Sequence, residues 1–271
     1  MIKYRTAQQC GKADYGWLQA RYTFSFGHYF DPHFLDYGTL RVLNQEVLAP
    51  NSEFKAKTYP HVDVVNLILR GEATYLDNMG RTLTAKQNEC LLISPHNTET
   101  YIERNSSPDT PLTRIQLWLN ACPQQESIAS QKLALNEDLK YQLLASPSGD
   151  NGSLMLRQNI WLYHINLAQG DEITLPIQGQ KGYLQSIKGG VHFQTSEQEL
   201  GEIRCGDGAF IQDSNMLALR CQNAFRGLFI DIVSKSASDI SEQSFIITLA
   251  IAIKQKTLEP QSESRVLYKV S

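Results

Sequence analysis

The sequence has no Cys-x-x-Cys pair, no cluster of Lys and Arg, no apolar run of membrane length and little helical periodicity. Each absence removes a class of protein. The five cysteines, Cys10, Cys90, Cys122, Cys205 and Cys221, are odd in number and suggest neither a zinc knuckle nor a disulfide framework, so reduced thiols are expected. Lys and Arg number 25 against 28 Asp and Glu, a formal charge of −3 with no basic face, and no nucleic-acid partner is expected. The most apolar stretch, Phe245 to Ile253, is interrupted by Thr248. It falls far short of the roughly 20 residues of a spanning helix, so no membrane partner is expected. The start, Met1-Ile2-Lys3-Tyr4-Arg5-Thr6, lacks the basic-then-apolar pattern of an export signal, and a cytoplasmic protein is the expectation.

What is present, from about Tyr37 onward, is a series of short apolar or alternating runs separated by turn residues, the texture of an all-β sandwich or barrel. Val64-Val65-Asn66-Leu67-Ile68-Leu69 runs into Arg70-Gly71. Ala73-Thr74-Tyr75-Leu76 leads to the turn Asp77-Asn78-Met79-Gly80, and Cys90-Leu91-Leu92-Ile93 follows. The second half repeats the arrangement. Ile187-Lys188-Gly189-Gly190-Val191-His192-Phe193 matches Leu69 to Tyr75, and Asp207-Gly208-Ala209-Phe210-Ile211 matches Glu89 to Ile93, both at an offset of 118 residues. A shared register across two strands and a hairpin points to two β-barrels in tandem. The boundaries expected are a first barrel over 1–121, a linker region over 122–153, a second barrel over 154–233 and a tail over 234–271. Within the linker, Lys132 to Leu144 reads equally as helix or strand. The tail's apolar run reads as a docked terminal element or as a contact with a second copy.

Thr23-Phe24-Ser25-Phe26-Gly27-His28-Tyr29-Phe30-Asp31-Pro32, followed by Leu40-Arg41-Val42-Leu43-Asn44, resembles the N-terminal signature of the pirin family of bicupins. The resemblance runs from Ile2 to about Asp231, and Ala13 to Arg21 with Thr58-Tyr59-Pro60 is similar to the YhaK branch of that family. It implies two cupin barrels in one chain. It also implies, for active members, an iron-type ion in the first barrel held by three histidines and a glutamate, with open positions for a flavonol such as quercetin and for dioxygen.

Aligned without gaps, the family's four ligand positions fall on Lys57, Tyr59, Tyr101 and Glu103, so only the carboxylate is kept. An ammonium has no lone pair to offer a metal, but it can neutralise a buried carboxylate. The expectation is a degenerate site with no metal and no cofactor. Lys57 would stand in electrostatically for the ion, the tyrosines would fill the vacated volume, and Phe24, Phe26 and His28 would form walls around a small molecule or small anion. A register shifted by two residues sets His61 among the ligands. Tyr59, His61, Tyr101 and Glu103 then suit ferric iron and a quercetin 2,3-dioxygenase-type reaction.

Three functions stay open at this point. A non-catalytic binding, regulatory or stress-related bicupin is favoured because the ligand positions argue against the second, a metal-dependent dioxygenase. The third is a thiol redox sensor through Cys122, the cysteine expected to be most exposed because it opens the polar linker. His28, His33, His96, His164 and His192 show no ligand spacing and read as solvated or locally bonded. Gly206-Asp207-Gly208 reads as a turn.

Overall fold

The computed structural model describes residues 1–233 except 60, 97–98, 123–124 and 180. The tail over 234–271, with its apolar run, lies outside the described residues. The described chain is strands joined by turns, with a single 3-10 turn at Asp150–Gly152. Among these residues no helix is long and apolar enough to cross a membrane.

Two pairs of facing sheets form two barrels. In the first, a seven-stranded sheet runs in the order Gln131–Ala134, Glu89–Ile93, Val62–Arg70, Leu112–Asn120, Leu40–Leu48, Leu18–Tyr22, Gly11–Asp14. It faces a smaller sheet of Ser52–Glu53, Thr100–Asn105, Glu72–Asp77 and Thr82–Lys86, with Lys57–Thr58 also pairing onto Thr100–Asn105. The second barrel pairs a seven-stranded sheet centred on Lys181–Gly189 and Phe225–Ile232 with a four-stranded one.

The large sheets are buried on both faces, which is why Val62–Arg70 reads as a nearly continuous apolar run. Val64 and Ile68 point into the first barrel, whereas Val65 and Leu67 join a core shared with Leu162, Tyr183, Phe210 and Leu228 of the second. The repeat at 118 residues also has a steric cause. Gly71 and Gly189 both turn with positive φ, +80° and +74°. A Cβ would come 2.9 Å from the Pro111 carbonyl oxygen in one case and 1.9 Å from that of Ala224 in the other.

The barrels exchange edges. The first strand, Ile2–Arg5, falls within the expected first barrel of 1–121 but pairs with Gly208–Gln212 of the second. The supposed linker carries a strand, Gln131–Ala134, on the edge of the first barrel and another, Tyr141–Ser146, in the second. Each large sheet is thus closed by the segment that precedes the other barrel in the chain. Unpaired backbone donors and acceptors at a sheet edge are costly, and this exchange satisfies them. Arg5 anchors the first strand, donating to the Thr23 carbonyl at 3.1 Å and to the Tyr29 hydroxyl at 2.7 Å.

Two part-buried polar bridges cross between the barrels. Arg157 grips Asp63, with Nη2 at 2.6 Å from Oδ1. Arg226 donates to His164 Nε2 at 2.9 Å and to Asn88 Oδ1 at 3.1 Å. His164, 1% exposed, is therefore locally bonded and buried rather than solvated. Burial, then the Arg226 charge, pushes its pKa down to about 4.

Removing Met1–Thr6 is expected to cost about 3 kcal/mol, from ladder bonds of roughly 1 kcal/mol each, and so to lower the thermal midpoint by about 6–12 °C. Calorimetry finding no change would show the strand to be a passive cover. A neutral buried histidine contributes stability above its unfolded pKa of about 6.5 that is lost as pH falls toward about 4. Wild type should therefore lose up to about 3 kcal/mol across that window. His164→Gln should flatten the slope in urea unfolding measured at several pH values.

Candidate functional site

The interior of the first barrel carries a polar stripe. On the large sheet, alternation turns Asn44 and Glu46, Asn66, and Arg114, Gln116 and Trp118 inward along three adjacent strands. On the small sheet, Tyr101 and Glu103 face inward, and Tyr75 stands opposite Glu103 in the neighbouring strand. The short strand Lys57–Thr58 pairs so that Lys57 lies opposite Tyr101.

These placements join four charges. Lys57 Nζ lies 2.7 Å from Glu103 Oε1. Arg114 Nη2 lies 2.5 Å from Glu103 Oε2 and 2.8 Å from Glu46 Oε2. Gln116 Nε2 donates to Glu103 Oε2 at 3.2 Å and to Asn66 Oδ1 at 2.9 Å, while Trp118 Nε1 donates to Gln116 Oε1 at 2.9 Å. Arg114 Nη1 donates to the Tyr75 hydroxyl at 2.9 Å. The Lys57 ammonium also lies 4.5, 5.3 and 5.9 Å from the ring centroids of Phe54, Tyr59 and Trp118, within cation–π range. Two cations balance two carboxylates.

Glu103 is fully buried. Burial alone would raise its pKa, but Arg114 and Lys57 outweigh that and hold the carboxyl down at about 2. The same carboxylates, Glu103 foremost, hold the Arg114 guanidinium charged against its burial.

All four residues expected at the former ligand positions are brought together. Tyr59 and Tyr101 have ring centroids 6.0 Å apart, and Tyr59 packs edge-on to Trp118 at 5.1 Å. They do not form a ligand set. The Tyr101 hydroxyl donates to Glu99 Oε2 at 3.0 Å, and Glu99 is held in turn by Arg81 at 2.6 Å. Both Glu103 oxygens are engaged by Lys57, Arg114 and Gln116, and the Tyr59 hydroxyl, 1% exposed as a residue, has no hydrogen-bond partner in the described structure. His61 has a left-handed backbone, φ 46°, and its carbonyl accepts from the Ala121 N–H at 2.8 Å. Its ring makes no hydrogen bond among the described residues, and Pro60 of the shifted register lies outside them. Among the described residues no three His, Cys, Asp or Glu side chains are grouped to hold a metal ion. An iron-type ion does not fit this arrangement, because an ammonium stands against one oxygen of Glu103 and a guanidinium against the other, and neither cation has a lone pair to offer a metal.

The expected walls divide. Phe26 packs edge-on to Trp118 at 5.4 Å, inside the first barrel. Phe24 instead belongs to the core between the barrels, 6.1 Å from Phe210. His28 is exposed on a turn. Cys122 is half-buried and Cys205 is the exposed thiol, since Cys205 sits in the turn before Gly208–Gln212.

Sequence reasoning missed Glu46, Arg114 and Gln116. Their signal was parity. Leu112, Arg114, Gln116 and Trp118 alternate on one face, as do Val42, Asn44, Glu46 and Leu48, and that face is the one turned into the first barrel.

Tandem barrels of this construction, with a two-sheet core in each and a third core between them, define a bicupin. The chain belongs to the pirin family. Residues 3–119 match the family described as Pirin, and residues 143–232 match the quercetinase C-terminal cupin domain. It is 55% identical over 232 residues to the pirin-like protein YhaK of Escherichia coli strain K12, covering 86% of this chain and 99% of that one. The crystal structure of YhaK from Escherichia coli matches with a TM-score of 0.71 at 51% identity, over 84% of this chain and all of that chain. A quercetin 2,3-dioxygenase of Escherichia coli strain K12 is 26% identical over 235 residues, 86% of this chain and 99% of that one.

At neutral pH, Lys57→Met and Glu103→Gln are each expected to cost about 3 kcal/mol or more, because each leaves charge uncompensated in the interior. The double variant should cost less than the two together. A carboxyl with its pKa lowered from 4.5 to about 2 contributes stability that is lost as pH falls through that range, so Glu103→Gln should flatten the acid limb of the stability curve. Additive single effects in urea titrations would show the pair to be uncoupled.

Proposed function

We propose that this pirin is a non-catalytic, cytoplasmic binding or regulatory protein whose first barrel uses Lys57 where active relatives use a metal ion. The observation that carries the reading is the 2.7 Å pair between Lys57 Nζ and Glu103 Oε1, completed by Arg114 on the second oxygen. The ammonium supplies the positive charge a carboxylate needs in a dry interior, but offers no open coordination position for dioxygen or substrate. A small ligand of this barrel would meet a neutral cluster walled by Phe54, Tyr59 and Trp118, which favours an uncharged aromatic molecule over an anion.

The dioxygenase for which a relative is named is the rival, through ferric iron at Tyr59, His61, Tyr101 and Glu103. The commitment of the Tyr101 hydroxyl to Glu99 speaks against it. Sensing through Cys122 is a third reading, supported by the partial exposure of that thiol.

Protein purified without added metal is expected to carry only substoichiometric iron, nickel and manganese by plasma mass spectrometry. The variant Lys57→His/Tyr59→His/Tyr101→His should take up a divalent ion. Near-stoichiometric metal in the wild type overturns the proposal.

A further inference from the structure

The crossing of the first strand onto the second barrel leaves a cavity of about 180 Å³ at the junction. Its walls are aromatic. Phe34 lies 5.9 Å from Phe210 with the rings 31° apart, and Tyr37 meets Phe210 edge-on at 4.8 Å. Phe34 and Tyr37 come from the segment that leads into Leu40–Leu48 of the first barrel, and Phe210 from Gly208–Gln212 of the second.

The polar groups of the rim are unequally committed. Asp36 is engaged by Arg41 at 2.9 Å, and the Tyr37 hydroxyl donates to the Ile211 carbonyl at 2.9 Å. Lys3 Nζ lies 4.4 Å from the Phe34 ring centroid, which the Arg5 guanidinium also approaches to 3.7 Å, and has no carboxylate within ion-pair distance among the described residues, whereas the Met1 ammonium on the same rim is paired with Glu199 at 2.9 Å. The His33 ring, also on the rim, makes no hydrogen bond among them. The cavity thus combines ring faces with an uncommitted ammonium. A cavity of about 150 Å³ holds a benzene ring, so this one takes a single ring with one small substituent. An ammonium over an aromatic wall selects a substituent with negative charge.

We propose that this junction binds a small aromatic carboxylate, its ring among Phe34, Tyr37 and Phe210 and its carboxylate on Lys3, with His33 as a second donor at the rim. Because the walls come from both barrels, the ligand would fasten one to the other. The inference is independent of what happens at Lys57 and Glu103.

The test is a fluorine NMR titration of the full chain with 4-fluorobenzoate. Saturable binding is expected, competed by benzoate but not by acetate, and about tenfold or more weaker in Lys3→Met, a variant at an exposed position that should melt like the wild type. Benzyl alcohol should compete poorly. Absence of saturation, equal affinity in Lys3→Met, or competition by acetate as strong as by benzoate would each overturn the assignment.

Discussion

A carboxylate sealed inside a β-barrel must be balanced by positive charge, and much of the first barrel is arranged around meeting that demand at Glu103. An unpaired ion there would cost several kcal/mol. The chain answers with Arg114 and Lys57, one from the large sheet and one from the short strand paired to the small sheet. Arg114 then needs its own compensation and finds it in Glu46 on the neighbouring strand. The two sheets are therefore tied across the barrel by a chain of alternating charges, with Val42, Leu48, Val64, Ile68 and Ala73 packing around it.

The second barrel fills the corresponding interior mostly with apolar side chains. By the 118-residue offset Asn66 corresponds to Leu184, and the second barrel's core is apolar, with Ile165, Val191, Phe193, Leu217 and Phe229 around Leu184. Such a core depends mainly on shape, and its buried carboxylate, Asp231, is held by the backbone N–H groups of Gln178 and Gly179 at 2.8 and 3.0 Å. The first barrel keeps the polar stripe, and the second supplies a rigid partner and the surface against which the shared core forms. The edge exchange makes that partnership obligatory, since either barrel alone would expose an unpaired strand edge.

Much of this was legible in the amino acids. The tandem repeat follows from Gly71 and Gly189, because the backbone conformation there and the approach of Pro111 and Ala224 tolerate no side chain. The meeting of Lys57, Tyr59, Tyr101 and Glu103 follows from family resemblance at the motif level. The edge exchange was not legible, because Ile2–Arg5 and Gln131–Ala134 are four-residue strands whose partners lie far along the chain, and alternation within a strand says nothing about which sheet receives it. Arg114 was hidden for a different reason. A single charge in a strand of mostly apolar residues reads as a solvated position until the inward parity of Leu112, Gln116 and Trp118 is applied to it.

Charge arithmetic explains why a single lysine suffices to balance this interior. Glu46 and Glu103 contribute two negative charges, and Arg114 removes one of them. A single negative charge then remains in the interior, and one monovalent cation cancels it. Lysine is suited to that task because its ammonium is compact and its stem is apolar, so the head reaches Glu103 while the rings of Phe54, Tyr59 and Trp118 surround it. A second guanidinium would carry the same charge but more donors than the remaining oxygen can accept, leaving buried N–H groups unpaired. The identity of residue 57 is thus constrained from two sides, by the unit charge left over from Arg114 and by the single carboxylate oxygen left open to it.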